Sequence, residues 1–342
     1  MKVETLPKVE LHLHLDGCIP VRSAWKMSGE KGENLPPDIR SIRELRKKMV
    51  VDKPLKSQRE LLAYFDIPTR VLQTREHLTR AYYELCGMKK EDNVCYCEVR
   101  FAPQLHTLGG LSLEEVMEAV LEGKRKGEEA FGIFTNLIVV GLKNRSQDEN
   151  LDMLEAVKRY QNQGVVAVDC AGLEKEYSIL EQEAFLQRAR ELGFFVTFHC
   201  GEVLESLPDF IEMTHRILPD RIAHGTTAIW SQELCEELVK HGIMLDICPT
   251  SNIQAGLYHS YQEIPIRKLE ELGVPISIST DDTVLSDITL SQELKRVADD
   301  MKWSWDDIVL RNLQALDHSF ADDRTKEMIR ETINEYWKGD IL

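Results

Sequence analysis

The sequence predicts an α/β fold: a (β/α)8 TIM barrel with a helical insertion after strand one and extra helices toward the C-terminus. Three observations predict it. Eight short runs rich in Val, Ile and Phe stand at 9–15, 95–101, 134–140, 165–171, 194–200, 221–224, 243–248 and 275–280. From the second onward they lie about one crossover helix apart, with helix-start residues after a run and Gly before the next. The chain's most chemically useful polar residues fall at the C-terminal ends of these runs.

Strand one, 9–15, carries two His at period-2 spacing. The segment after it, about 18–93, contains LLAYFDIPTRVLQTREHLTRAYYELCG. Its Leu61, Leu62, Phe65, Val71 and Leu72 fall at helical spacing, which suits either a lid over the barrel mouth or an ordinary helix packed on the barrel. After strand two, Ser112 and Glu115 form a capping box, and Gly132 closes that helix. The same grammar then recurs. Ser146 opens a helix ending near Gly164, Ser178 with Glu181 opens one ending at Gly193, and Ser231 opens one ending at Gly242. Pro265 lies in the first turn of one ending at Gly273. Beyond strand eight, Ser304 caps a further helix and another runs to about Trp337. Near-continuous apolar strands between capped helices imply a parallel sheet covered by helices, and eight of them favour closure over an open sheet. The expectation is a single domain over 1–342.

Composition narrows the function. The 342 residues are 43% apolar and 29% charged, ordinary globular proportions that exclude a disordered chain. A net charge of −16 and the lack of any compact Lys/Arg cluster make a nucleic-acid polymer an unsuitable partner. No apolar run is long enough to cross a bilayer, and MKVETLPKVE has no apolar stretch of a signal peptide, so no membrane is expected and a cytoplasmic location is. Eight Cys without CxxC pairs suit reduced cytosolic thiols. Cys95 and Cys97 read as core.

His12 and His14 end strand one, His199 ends strand five, His224 ends strand six, and Asp281-Asp282 follow strand eight. In a barrel these ends share the face that carries active sites. An HxH pair alone is unspecific, and His199 or His224 taken singly reads as a hydrogen-bonded core residue. Together they read as a metal site. The remaining His77, His106, His215, His241, His259 and His318 read as surface residues. Nitrogen and carboxylate ligands without thiolate suit Zn²⁺ with an open position for water. Strand four ends VDCAG, with no Lys to bridge a second ion, so one Zn²⁺ per chain is expected. Glu202, three residues after His199 across Gly201, is a proton donor kept neutral by desolvation, a solvated loop carboxylate, or a cap for the next helix. Cys200 reads as packing behind the site.

LHLHLDG at 11–17, HCGE at 199–202, RIAHG at 221–225, CPTSN at 248–252 and STDD at 279–282 resemble, in order and nearly end to end, the adenosine deaminase family of zinc hydrolases. That resemblance implies a (β/α)8 barrel in which His12, His14, His199 and Asp281 bind Zn²⁺. His224 orients or deprotonates the attacking water, and Glu202 protonates purine N1 so that C6 becomes electrophilic. Asp282 contacts N7, the Gly172 backbone contacts N3, and Asp16, with His14 beside it, meets the ribose 5′-hydroxyl. Leu61, Leu62 and Phe65 pack near ribose and base. The implied substrate is a small-molecule purine nucleoside, adenosine or 2′-deoxyadenosine, converted to the inosine product and ammonia.

Four positions depart from the family pattern: Cys200 for Ala, Ala223 for Gly, Leu173 for a polar residue and Thr283 for Pro. Leu173 and Thr283 are expected near the base, so adenine, adenylate and modified adenine nucleosides stay open. The net negative charge disfavours the nucleotide. Another metal-dependent hydrolase on this barrel and a non-catalytic binding protein are the rival readings.

Overall fold

A computed structural model of the chain describes residues 3–29 and 34–339. Among the described residues nine strands run in order: β1 Lys8–His14, β2 Val94–Phe101, β3 Phe134–Leu142, β4 Val165–Ala171, β5 Phe195–Val196, β6 His199–Cys200, β7 Arg221–His224, β8 Met244–Ile247 and β9 Ile276–Ile278. Every ladder is parallel, in two arcs ordered β1 to β5 and β6 to β9.

The single run expected at 194–200 is broken in two. Thr197 and Phe198 leave regular pairing between β5 and β6, but Thr197 N still bonds Val168 O at 2.9 Å and Ala223 N bonds Phe198 O at 3.0 Å. The arcs are thereby joined. At the other seam His14 N bonds Asp281 O at 2.8 Å and Asp281 N bonds His12 O at 3.1 Å. The backbone contact that closes the barrel thus also sets Asp281 beside both His of strand one.

Local sequence explains the outer helices. Ser112 and Glu115 form the capping box of Leu113–Phe131, and Gly132 ends it in the left-handed conformation. Ser146 and Glu149 cap Gln147–Val157, which tightens into a 3₁₀ stretch, Lys158–Gln163, before Gly164. After Ser178 a short 3₁₀ turn, Ile179–Gln182, precedes the helix Glu183–Glu191. Ser231 caps Gln232–His241. Pro265 is the capping residue of Ile266–Glu271 rather than part of its first turn. The insertion folds as Val21–Met27, Ile42–Met49, Gln58–Leu62, Asp66–Val71 and Arg75–Glu91, and the C-terminal end as Leu290–Met301, Trp305–Asp317 and Asp323–Gly339.

The barrel interior holds a buried ionic layer. Arg100 bonds Asp169 at 2.9 Å, Arg221 bonds Asp246 at 3.0 Å, and Arg221 also pairs with Glu98; all five side chains are fully buried. Such a layer stands only when each charge is paired. His106 departs from the surface assignment: it is fully buried, with Nδ1 3.0 Å from Leu72 O, and burial pushes its pKa down to about 4. Because its ring bonds a backbone carbonyl, it can sit in the core uncharged. All eight cysteines are free, and among the described residues no helix is long and apolar enough to cross a membrane.

Candidate active site

At the C-terminal end of the barrel, one ligand atom each from His12, His14, His199 and Asp281 lies within 4.8 Å of the others. Strand periodicity turns both imidazoles of β1 inward. His12 Nε2 and His14 Nε2 stand 3.1 and 3.3 Å from Asp281 Oδ1, and His14 Nε2 stands 3.2 Å from His199 Nε2. Burial holds the His12 and His14 pKa values down, His14 to about 3, so both rings offer free lone pairs at neutral pH. Burial alone would raise the Asp281 carboxyl, but His12, His14 and His224 outweigh it and hold it well below the usual range. Apart from the Asp281 carboxylate, His12 is fully buried with no hydrogen-bond partner at either ring nitrogen. A buried polar ring left so is costly, and a cation among these four groups removes the cost. Three nitrogens and a carboxylate oxygen fit Zn²⁺.

Neighbouring groups hold these side chains in place. Asp169 on β4 bonds His199 Nδ1 at 2.9 Å, and Ser251 Oγ donates to Asp281 Oδ2 at 2.7 Å. Asn252 Nδ2 meets His224 Nδ1 at 3.2 Å, which leaves the proton of the neutral ring on Nε2, facing Glu202 and Asp281. Ser251 and Asn252 come from the short helix Pro249–Gln254, whose start is held by Glu293: its carboxylate accepts Thr250 N at 2.7 Å and Thr250 Oγ1 at 2.6 Å. His224 and Asp281 have φ of 66° and 62°, left-handed values rare outside Gly. Such strain costs about 1–3 kcal/mol per residue and persists where the surroundings over-determine it.

A cavity of about 900 Å³ opens onto this cluster, and His14, Asp16, Gly172, Glu202, His224, Asp281 and Asp282 reach it. Leu61, Leu62 and Phe65 from the insertion line it as well. His12 lies beneath, away from the cavity wall. Glu202 is buried, because Gly201 turns the chain sharply at φ 74° where a Cβ would strike the Phe210 ring at 2.6 Å. Burial, then the carboxylate of Glu174, raises its pKa to about 8. The reading of Glu202 as a solvated loop carboxylate is thereby excluded. Asp282 and Asp16 each keep a buried Oδ1 without a hydrogen-bond partner. Burial raises Asp16 to about 6, and burial with Asp281, Asp16 and Glu202 nearby holds Asp282 well above the usual carboxylate range.

Sequence reasoning missed Gln58, Asp169, Glu174, Ser251 and Asn252. The CPTSN motif signalled the last two without naming their partners. Leu173 lines the cavity, as expected. Thr283 does not: its hydroxyl accepts from the buried Lys89 at 2.6 Å, and Lys89 pairs with Glu10 at 2.7 Å. Its side chain is thereby turned into the wall behind the Asp pair.

The fold and site together define a parallel barrel with nitrogen and carboxylate groups placed to hold a metal ion at its C-terminal face. The family model described as adenosine deaminase matches residues 7–336. An adenosine deaminase of Clostridium perfringens is 34% identical over 336 residues, covering 97% of this chain and 99% of that protein. Among solved structures, an N6-methyl-AMP deaminase of Arabidopsis thaliana is 25% identical with a TM-score of 0.85 over 97% of each chain. An adenine deaminase of Arthrobacter aurescens has a TM-score of 0.89 at 22% identity, covering 97% of this chain and 99% of that one, a likeness of fold. The chain belongs to the adenosine deaminase family, whose members hydrolyse C–N bonds of cyclic amidines.

Proposed function

We propose that this chain is a zinc enzyme that deaminates adenosine and 2′-deoxyadenosine to inosine and 2′-deoxyinosine. The observation that carries the reading is the meeting of the His12, His14, His199 and Asp281 cluster with the buried Glu202 in the lining of one cavity. One Zn²⁺ held by those four residues supplies Lewis acidity that makes water a nucleophile near neutral pH.

The chain's own groups do the rest. Glu202, protonated below about pH 8, donates to purine N1, which draws electrons from C6 and opens it to attack. His224, with its proton on Nε2, orients the attacking water. Asp282, whose carboxyl burial and nearby acids hold above the usual range and whose Oδ1 lacks a partner, contacts N7, and the Gly172 backbone meets N3. Asp16, beside His14, accepts the ribose 5′-hydroxyl. Leu61, Leu62 and Phe65 cover ribose and base and exclude water. Residues 1–342 act as one hydrolase domain with 18–93 as its lid. The free thiols support a cytoplasmic site of action.

An adenine nucleotide is the second reading, and one observation favours it. Arg70 borders the cavity, and its side chain makes no ion pair or hydrogen bond among the described residues. Against it, the buried Asp16 carboxyl, in the role proposed here at the 5′-position, repels a phosphate. Ultraviolet assays with adenosine, deoxyadenosine, adenine, adenylate and N6-methyladenylate decide between them: kcat/KM highest for the two nucleosides supports the proposal, and highest for a nucleotide replaces it with the second reading.

A further inference from the structure

The short helix Gln58–Leu62 stands over the cavity on a small apolar cluster of its own. Leu61 packs there with Val51, Ala255 and Leu285, apart from the main core. Upstream, Leu55 N bonds Gln254 O at 2.9 Å and Val51 N bonds Leu285 O at 2.8 Å; downstream, Ile67 and Val71 enter the main core. Between these anchors, apart from the local bond of Glu60 to Lys56 N, the side-chain bonds of the described residues 57–65 to the rest of the protein come from two side chains, Arg59 and Gln58. Arg59 pairs with Glu176 in solvent, and the half-buried Gln58 reaches inward.

Gln58 bridges two loops. Glu174 N donates to its Oε1 at 3.3 Å, and its Nε2 donates to Glu202 Oε2 at 2.6 Å. The first bond sets the orientation of the amide, because only the carbonyl end can receive an N–H. The NH₂ end therefore faces the Glu202 carboxyl, whose other oxygen, Oε1, lies 3.7 Å from His224 Nε2. Glu174 fixes the opposite side of the same loop: its Oε2 accepts Glu202 N at 3.2 Å and Ser206 Oγ at 2.6 Å. One side chain of the insertion thus holds one carboxyl oxygen of Glu202 and leaves the other turned to the reacting centre.

We propose that Gln58 is a positioning residue, aligning Glu202 when the helix Gln58–Leu62 is seated over the cavity and so coupling closure of the insertion to proton donation. This rests on the reading of Glu202 as the proton donor to the purine ring. A loose helix leaves the carboxyl free to rotate, and misplacement by about 1 Å lowers a rate by up to about 100-fold.

The test is a double-mutant cycle on the zinc-loaded full chain, with adenosine as substrate. Gln58→Met, which keeps length without the amide, is expected to lower kcat at least about 10-fold while KM changes less than about 3-fold. Gln58→Leu serves as a second variant lacking the amide. Arg59→Ala, which cuts only the exposed pair, is expected to leave kcat unchanged. In a Glu202→Gln background, Gln58→Met is expected to add no further loss, because the residue acts through Glu202. Full kcat in Gln58→Met and Gln58→Leu, or an equal proportional loss in both backgrounds, overturns the proposal. Full turnover in Glu202→Gln alone overturns the role of Glu202 instead, so the two failures are distinguishable.

Discussion

Asp169 Oδ2 accepts the Nδ1 proton of His199 at 2.9 Å, and the opposite nitrogen of that ring lies 3.2 Å from His14 Nε2. Burial alone would raise the Asp169 carboxyl, but His199 and Arg100 hold it well below the ordinary value. An ionised Asp169 fixes the tautomer and aim of His199 and makes its free nitrogen a better ligand.

Asp169→Asn is accordingly expected to weaken zinc affinity by about 10–100-fold. Competition against a chromophoric chelator measures it. An unchanged affinity removes Asp169 from the metal site.

Metal removal has its own signature. Stripped protein should melt at a lower temperature, and zinc at 100 times its dissociation constant should restore about 2.7 kcal/mol. His12→Ala should abolish that response. A melting temperature indifferent to zinc in the unaltered chain would count against the four-residue cluster.

Glu202 links function to stability. Its pKa stands near 8 in the folded chain against an ordinary 4.5. The folded state therefore resists ionising it, and a penalty grows as pH rises from 4.5 toward 8. Glu202→Gln is expected to lower kcat by about 100-fold or more while raising the melting temperature, more at pH 8 than at pH 5. In the unaltered enzyme, activity should fall on the alkaline side as Glu202 loses its proton. A variant no more stable at pH 8 than at pH 5, or an alkaline limb that survives the substitution, speaks against it.

Gly17, in the 3₁₀ turn Asp16–Cys18 that follows β1, lets the backbone pass directly beside Asp282. A Cβ there would stand 1.7 Å from Asp282 Oδ1 and 2.8 Å from Asp282 Cβ, so the carboxyl must turn away. Gly17→Ala is expected to reduce kcat/KM for adenosine by about 100-fold with zinc affinity kept. Unaltered kinetics would mean that Asp282 does not touch the substrate.

Much of this was legible in the sequence because it is local. Period-2 spacing faces His12 and His14 the same way, the pairs Ser112/Glu115 and Ser146/Glu149 mark helix starts, and Gly201 marks the turn that buries Glu202. What was not legible depends on which loops meet. Nothing local to Gln58 announces a bond to Glu202, 144 positions away, or to the backbone of Glu174. His106 read as a surface residue because burial is a property of what packs over it. The break at Thr197-Phe198 is where the run stops pairing regularly with β4 and begins pairing with β7, which an apolar run does not record. Thr283 belongs to the same class: only the fold brings Lys89 to its hydroxyl.

The central claim is that the histidine, aspartate and glutamate groups at the barrel mouth deaminate an adenine nucleoside. Ammonia release from adenosine tests it most directly, followed for the zinc-loaded chain, the chelated chain and zinc-loaded Glu202→Gln. The account predicts stoichiometric ammonia and inosine from the first and near-background release from the other two. Ammonia from the chelated chain at the full rate, or none from the loaded one, would contradict it.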